Sequence, residues 1–343
     1  MYSESELDQA VEAGIVPRET ADAFRNHVAS LRAAPAVDEE HFRLLSGFND
    51  IFVAIAIALM LAAVAQIGAI VGPWLGGLGV AVSAWLLAEY FTRQRRMALP
   101  SILLLLAFVG GVAATMIGTM VSLDPDLPDR INALILAGIG LMSAGAAWLH
   151  WRRFMVPITL AAGAVALTGV VVALSVAAVP AIGNFVWPVL LIAGLVVFGF
   201  AMRWDMSDRQ RETRRADVAF WLHLAAAPMI AHSIFQMLGV FDKNIGPAVA
   251  VLVLGLYVVF GFVALAVDRR ALLVSSLVYV LYALYALFTR AGALELSTAF
   301  TALVIGSALL TLSAFWHPMR ARVVALLGGL KDRLPPVQMP AAA

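Results

Sequence analysis

Ten apolar stretches, each close to the length of a membrane-crossing helix and each bounded by a polar or basic connection, constrain this 343-residue chain more than any other feature. They lie at about 51–70, 74–92, 98–121, 131–149, 156–178, 185–202, 218–238, 247–267, 271–288 and 298–316. A helix of roughly 20 apolar residues spans the hydrocarbon core of a bilayer. Only helices or closed barrels satisfy their backbone in lipid, and the alternating pattern of barrel strands is absent. The expectation is an all-α polytopic transmembrane bundle of ten spans. Composition agrees: 62% of residues are apolar and 13% charged, against roughly 45–50% and about 25% in soluble domains. Soluble enzyme folds are thereby excluded for most of the length, and what remains is too short for an independent catalytic domain.

Arginine placement orients the bundle. With the N-terminus on the cytoplasmic side, only Arg130, Lys243 and Arg290 of the 23 lysines and arginines fall in outer connections, beside Asp124, Asp126, Asp129, Asp242 and Glu295. Basic residues held on one side at every crossing are the positive-inside pattern, so both termini are expected to be cytoplasmic. The first apolar run begins near residue 51, behind a polar head, so the first span is expected to direct insertion without a cleavable signal. Only two of the basic residues are lysines, Lys243 and Lys331; that bias and the high alanine content point to a bacterial source, hence to an inner membrane. Cysteine is absent, which removes disulfides and thiolate metal sites.

Three regions follow: a cytoplasmic helical hairpin and linker over 1–45, a transmembrane domain over 46–318 and a basic tail over 319–343. In the head, Ser3 or Ser5 can cap a short helix that Gly14 ends, and Pro17 suits the first turn of a second helix bearing Phe24, Val28 and Leu31. A hairpin this small buries little core. A protein partner or self-association through residues 1–32 is therefore expected, with a linker over 33–40. In the tail, apolar residues from Val323 to Leu334 interleave with Arg320, Arg322, Lys331 and Arg333, a pattern suited to a basic amphipathic helix on membrane lipid.

Equal spacings suggest an internal repeat. Asp50 to His150 and Asp217 to His317 are both 100 residues, and Arg95-Arg96 and Arg269-Arg270 fall at related places within them. Two four-span units of the same orientation with a two-span connector, a parallel 4+2+4 plan, would produce this.

Ionisable groups within spans are candidate sites, because burying them is costly unless they are paired or hydrated. Glu89 lies four residues before Arg93, the spacing of a helical ion pair at the interface. Asp50 and Asp217 open spans, where carboxylates cap free amides. Span seven holds the richest set. Pro228 removes a backbone donor mid-helix, which predicts a kink and a freed carbonyl at Leu224. His232 and Gln236 share a face at i,i+4, while His223 falls about opposite and roughly 13 Å away along the axis. The two histidines therefore cannot share a metal ion. His223, Pro228, His232, Gln236 and Glu89 are the candidate substrate-binding or proton-handling residues. Glycines at 72–79, 110–111 and 138–145 suit close helix packing, with Gly72 and Gly76 as a small-xxx-small pair. The loop from Arg203 to Arg215 carries both signs of charge and is expected to be solvated.

No phosphate-binding loop, nucleophile elbow or metalloprotease helix is present, and no cofactor, metal site, nucleic-acid partner or enzymatic activity is expected. Leu7, Gly14-Ile15 and Phe24 ahead of the first span, Trp85 through Glu89-Tyr90 to Arg93-Gln94-Arg95-Arg96 with Leu99-Pro100, and the histidines of span seven carry a resemblance. In these features the chain resembles a family of bacterial multi-span inner-membrane proteins of unassigned function. The resemblance implies an integral membrane protein and brings no catalytic or binding residue with it. The expected function is transport or binding of a small or lipid-like molecule along a polar path beside residues 218–238; the alternative is a non-transporting scaffold or assembly factor that recruits a partner through its N-terminal hairpin.

Overall fold

The structure is a computed structural model that describes residues 4–31, 48–123, 126–179, 185–209, 211, 213–240, 247–290, 297–329 and 334–337. The expected linker over 33–40 and the loop residues Asp124, Asp242, Lys243, Glu295, Lys331 and Arg333 lie outside the described residues. Among the described residues there are helices and no strand. The chain divides into two compact units, Met1–Phe42 with Gln338–Ala343, and Arg43–Val337.

The first unit holds α1 (Glu4–Glu12) and α2 (Arg18–Leu31), joined by a short turn. Gly14 takes φ +70, which lets the chain leave α1, and the carbonyl of Pro17 accepts from Ala21 N at 3.0 Å to start α2.

The second unit holds α3 (Phe48–Val71), α4 (Pro73–Ala88) with a π-helical turn at Glu89–Gln94, α5 (Ala98–Leu123), α6 (Asp129–Phe154), α7 (Ile158–Ala178) and α8 (Val186–Ser207). It continues through α9 (Arg214–Met237), α10 (Pro247–Val267), α11 (Ala271–Arg290), α12 (Ser297–Ala314) and α13 (Trp316–Leu326). Among the described residues, eight helices are long and apolar enough to cross a membrane, or nine if α12 and α13, bent by 76°, make one span. One of the ten expected spans looks different: the last breaks at Phe315 and turns. Helix α11 is 20 residues long, apolar over Ala271–Tyr285. Helix α13 also stops at Leu326, with Gly328 at φ +55 just beyond, so it does not run on to Leu334 as the tail pattern suggested.

Connections are short, and helices joined by them pack side by side. The closest pairs are α4–α5, α6–α7 and α8–α9. In α4–α5 the contact is backbone on backbone: a methyl on Gly77 would come within 2.3 Å of Thr115 N, and one on Gly111 within 2.7 Å of Ala81 N. Between α3 and α4 the close approach is Gly68 to Gly76, whereas Gly72 precedes Pro73 in the turn. The expected Gly72–Gly76 pair is therefore replaced by a pair across two helices. Gly110, Gly138 and Gly145 face open space and take no part in packing.

Polar contacts gather the arginine-bearing connections at one end of this unit. Ala98 N donates to Asp50 at 3.2 Å, tying the start of α5 to the start of α3. Arg214 Nη1 donates to the carbonyl of Met155 at 3.3 Å, joining α9 to the α6–α7 turn. Arg211 Nη1 reaches Asp268 at 3.0 Å, so the α8–α9 and α10–α11 connections also meet. Helix α9 lies at the centre: 56% of its apolar window is buried, against 33% or less in each other candidate span.

Candidate functional site

Helix α9 starts where Thr213 accepts from Arg215 N at 3.2 Å, and Asp208 in turn accepts from Thr213 N and Oγ1 at 2.9 and 2.6 Å. The helix then runs unbroken through Pro228. Pro228 is exposed and lies one turn before His232 on the same side of the helix.

The structure separates the two histidines into different sites. His232 is half-buried, its Nδ1 hydrogen-bonds the Tyr279 hydroxyl of α11, and Gln236 Nε2 lies 3.4 Å from its Nε2. The Trp187 ring of α8 meets the imidazole edge-on at 4.9 Å. Tyr279 also stacks on Phe235 at 4.3 Å, which fixes its hydroxyl on the His232 side. The i,i+4 relation of His232 and Gln236 holds as the spacing predicts, and three helices contribute to the group. Tyr279 and Trp187 carried no signal in the sequence, because aromatic residues in apolar spans are the rule.

His223 sits at the other end of α9, among charges. Its Nδ1–H donates to the carbonyl of Ala219 at 2.8 Å, and Asp205 Oδ2 of α8 lies 3.6 Å from the same nitrogen. The bond to a carbonyl places the proton on Nδ1, leaving Nε2 as an acceptor. Nε2 has no hydrogen-bond partner. The imidazole, with Phe198, Val263, Leu272 and Arg269, lines a narrow space that does not admit a water molecule.

Asp205 belongs to a buried ion pair. Arg269 Nη2 donates to its Oδ1 at 2.6 Å and Nε to its Oδ2 at 3.2 Å, and Nη2 also reaches the carbonyl of Ala216 at 3.3 Å. Asp205 is 1% exposed and Arg269 5%. Within the 203–215 segment, expected to be solvated, Arg203, Arg209, Arg214 and Arg215 are exposed, but the carboxylate at 205 is inside the protein. Beside it, Asp268 accepts from Trp316 Nε1 at 2.8 Å and pairs with Arg211 at 3.0 Å and Arg320 at 3.3 Å. Arg320 is 1% exposed, and its guanidinium donates to the carbonyls of Pro335 and Pro336 at 2.7 and 3.0 Å. Arg209 Nε reaches the Leu334 carbonyl at 3.2 Å. Residues 334–336 are therefore held against α13 and the α8–α9 connection, and Arg320, expected on a lipid-facing basic face, is an internal anchor.

Glu89 lies apart from both groups. The expected pair with Arg93 is present at 3.3 Å, but the stronger partner is Arg153 of α6, which grips the carboxylate with Nε at 2.7 Å and Nη2 at 2.8 Å. The π-helical turn Glu89–Gln94 carries the acid. On the same side, His150 is fully buried against Trp85, Phe108 and Phe154, with Thr159 Oγ1 at 3.5 Å. Among the described residues, no group of three or more His, Cys, Asp or Glu could hold a metal ion.

Comparison with family models, curated proteins and solved structures finds no match. The resemblance to the bacterial inner-membrane family therefore stands on its sequence motifs alone.

Proposed function

We propose that the chain is an integral membrane protein of the bacterial inner membrane, crossing ten times with its basic end and both termini in the cytoplasm, that binds and moves a small or lipid-like molecule beside α9. The observation that supports this reading is the meeting of His232, Gln236 and Tyr279 with the Trp187 ring inside an apolar span. Polar groups at such depth are costly, and they are characteristic of ligand paths in membrane proteins. The half-exposed imidazole offers a hydrogen-bonding face that a ligand can take over from Tyr279 or Gln236. Pro228 acts on this path through the backbone, since it cannot donate to the carbonyl of Leu224 one turn before it. The buried ion pairs at the basic end hold the helices around it and perform no chemistry.

The test is a melting screen of purified protein against small polar metabolites and phospholipids, followed by flux of the stabilising compound into liposomes. The proposal expects a compound whose stabilisation and flux are lost in His232→Ala and reduced in Pro228→Leu. A compound handled equally well by both variants places the site elsewhere.

A second reading has its own support. The α1–α2 hairpin belongs to a unit of its own and exposes Ile15 and Phe24, the surface of an assembly element. Under this reading, deletion of residues 1–40 abolishes capture of a partner in a pull-down, whereas a transporter keeps its flux after the same deletion.

A further inference from the structure

Helix α3 carries a side chain that neither the packing nor the proposed path uses. Its inward face is Ala54, Ile57 and Leu61, all buried, and Gly68 packs on α4. Gln66 lies on the opposite face and is exposed. It makes no hydrogen bond among the described residues, although every Ser and Thr on the exposed face of α5, for example Thr119, bonds back to its own helix at i−4. Gln66 is five residues, about 7.5 Å, inside the end of α3. Ile67, Ile70 and Val71 beyond it are all exposed and apolar, at 65%, 84% and 74%, so the lipid-facing surface continues past the amide. A helical side chain leans toward the helix N-terminus, and in α3 that direction leads back into the apolar span rather than out to the headgroups.

An amide facing hydrocarbon with no partner is unfavourable. Its donor and acceptor are complementary to a second amide, and small neighbours allow close approach: Ala62 and Ala63 flank Gln66 on the same exposed face. We infer that α3 is a self-association face, on which Gln66 pairs with Gln66 of a second copy of this chain across a two-fold axis along the membrane normal. Two copies of one chain insert with the same orientation, so α3 meets α3 in parallel and the same residue meets itself near the axis, the condition for an isologous contact. No other span among the described residues presents an exposed, unpartnered carboxamide inside its apolar stretch, so an amide–amide contact has one place to form. This face is distinct from the His232 group, and the inference does not rest on it.

The chain has no cysteine, so a single introduced thiol reports alone. In native membranes treated with a thiol oxidant, Ala62→Cys should give a disulfide-linked dimer of full-length protein, and Leu174→Cys on the lipid-facing side of α7 should not. Adding Gln66→Leu to Ala62→Cys should lower the dimerisation constant about five- to thirty-fold, the range for an interhelical amide hydrogen bond, while Gln66→Asn should retain most of it. Equal cross-linking with Leu at 66, or a monomeric mass in native detergent micelles with no Ala62→Cys dimer, overturns the inference. Cross-linking of Ala62→Cys only to a different protein also overturns it, since it assigns the face to another partner.

Discussion

The basic ends of the first and second halves of the bundle use similar residues in opposite ways. In the first half, Glu89, Arg93 and Arg153 pair at the surface. In the second, Asp205 and Arg269 pair almost fully buried, and Asp268 binds Arg211, Arg320 and Trp316 beside them. The lesson lies in α9. Because it is the most enclosed helix, the connections that meet its N-terminus are covered by neighbours, and their charges must satisfy one another rather than water. The same contrast runs through the markers of the repeat. Asp50 is buried and bonds Ala98 N, whereas Asp217 is exposed; His150 is fully buried, and His317 is half-exposed. Arg95 and Arg96 are exposed, and Arg269 is not. Equal spacing of 100 residues thus joins positions with unlike surroundings, and a shared ancestry of the two units finds no support in their side chains.

The largest expected effect breaks this comparison at its buried side. Arg269→Ala leaves the Asp205 carboxylate without its partner in a covered site, which costs about 3–5 kcal/mol, and melting in detergent should fall accordingly. The double variant Asp205→Leu with Arg269→Met should recover much of the loss, because it removes both charges. If the single variant melts like the parent, the pair is hydrated and the contrast fails.

A smaller effect tests the tight hairpin. Gly111→Val drives a side chain into the Ala81 backbone and should destabilise by about 1–3 kcal/mol, while Gly110→Val, next to it and facing open space, should be near neutral. Equal melting of the two would show that α4 and α5 are not in backbone contact. The smallest effect belongs to the exposed side: Glu89→Gln should leave melting unchanged within error, since exposed ion pairs contribute little. A loss comparable to Arg269→Ala would erase the difference between the halves.

What could be read from the residues in order follows the same division. The apolar runs, the short helix ended by Gly14 and the i,i+4 relations of Glu89 with Arg93 and His232 with Gln236 are local, and local spacing suffices for them. Arg153 on Glu89 and Tyr279 on His232 are contacts across 64 and 47 positions, and they depend on which helices become neighbours. Asp205 looked solvated because Arg203, Asp208 and Arg209 surround it in sequence; its burial comes from the enclosure of α9. Gly110 and Gly111 could not be told apart, because a helix apolar on every side carries no periodic sign of the face it packs.

The claim on which the rest depends is that the arginine-bearing connections share one side of the membrane and the intervening turns the other. Single cysteines at Asp126 and at Arg215 test it with a membrane-impermeant maleimide. The account predicts that Asp126→Cys is labelled in intact cells once the outer barrier is opened, and that Arg215→Cys is labelled only after the inner membrane is broken. Labelling of both positions under the same condition would contradict it.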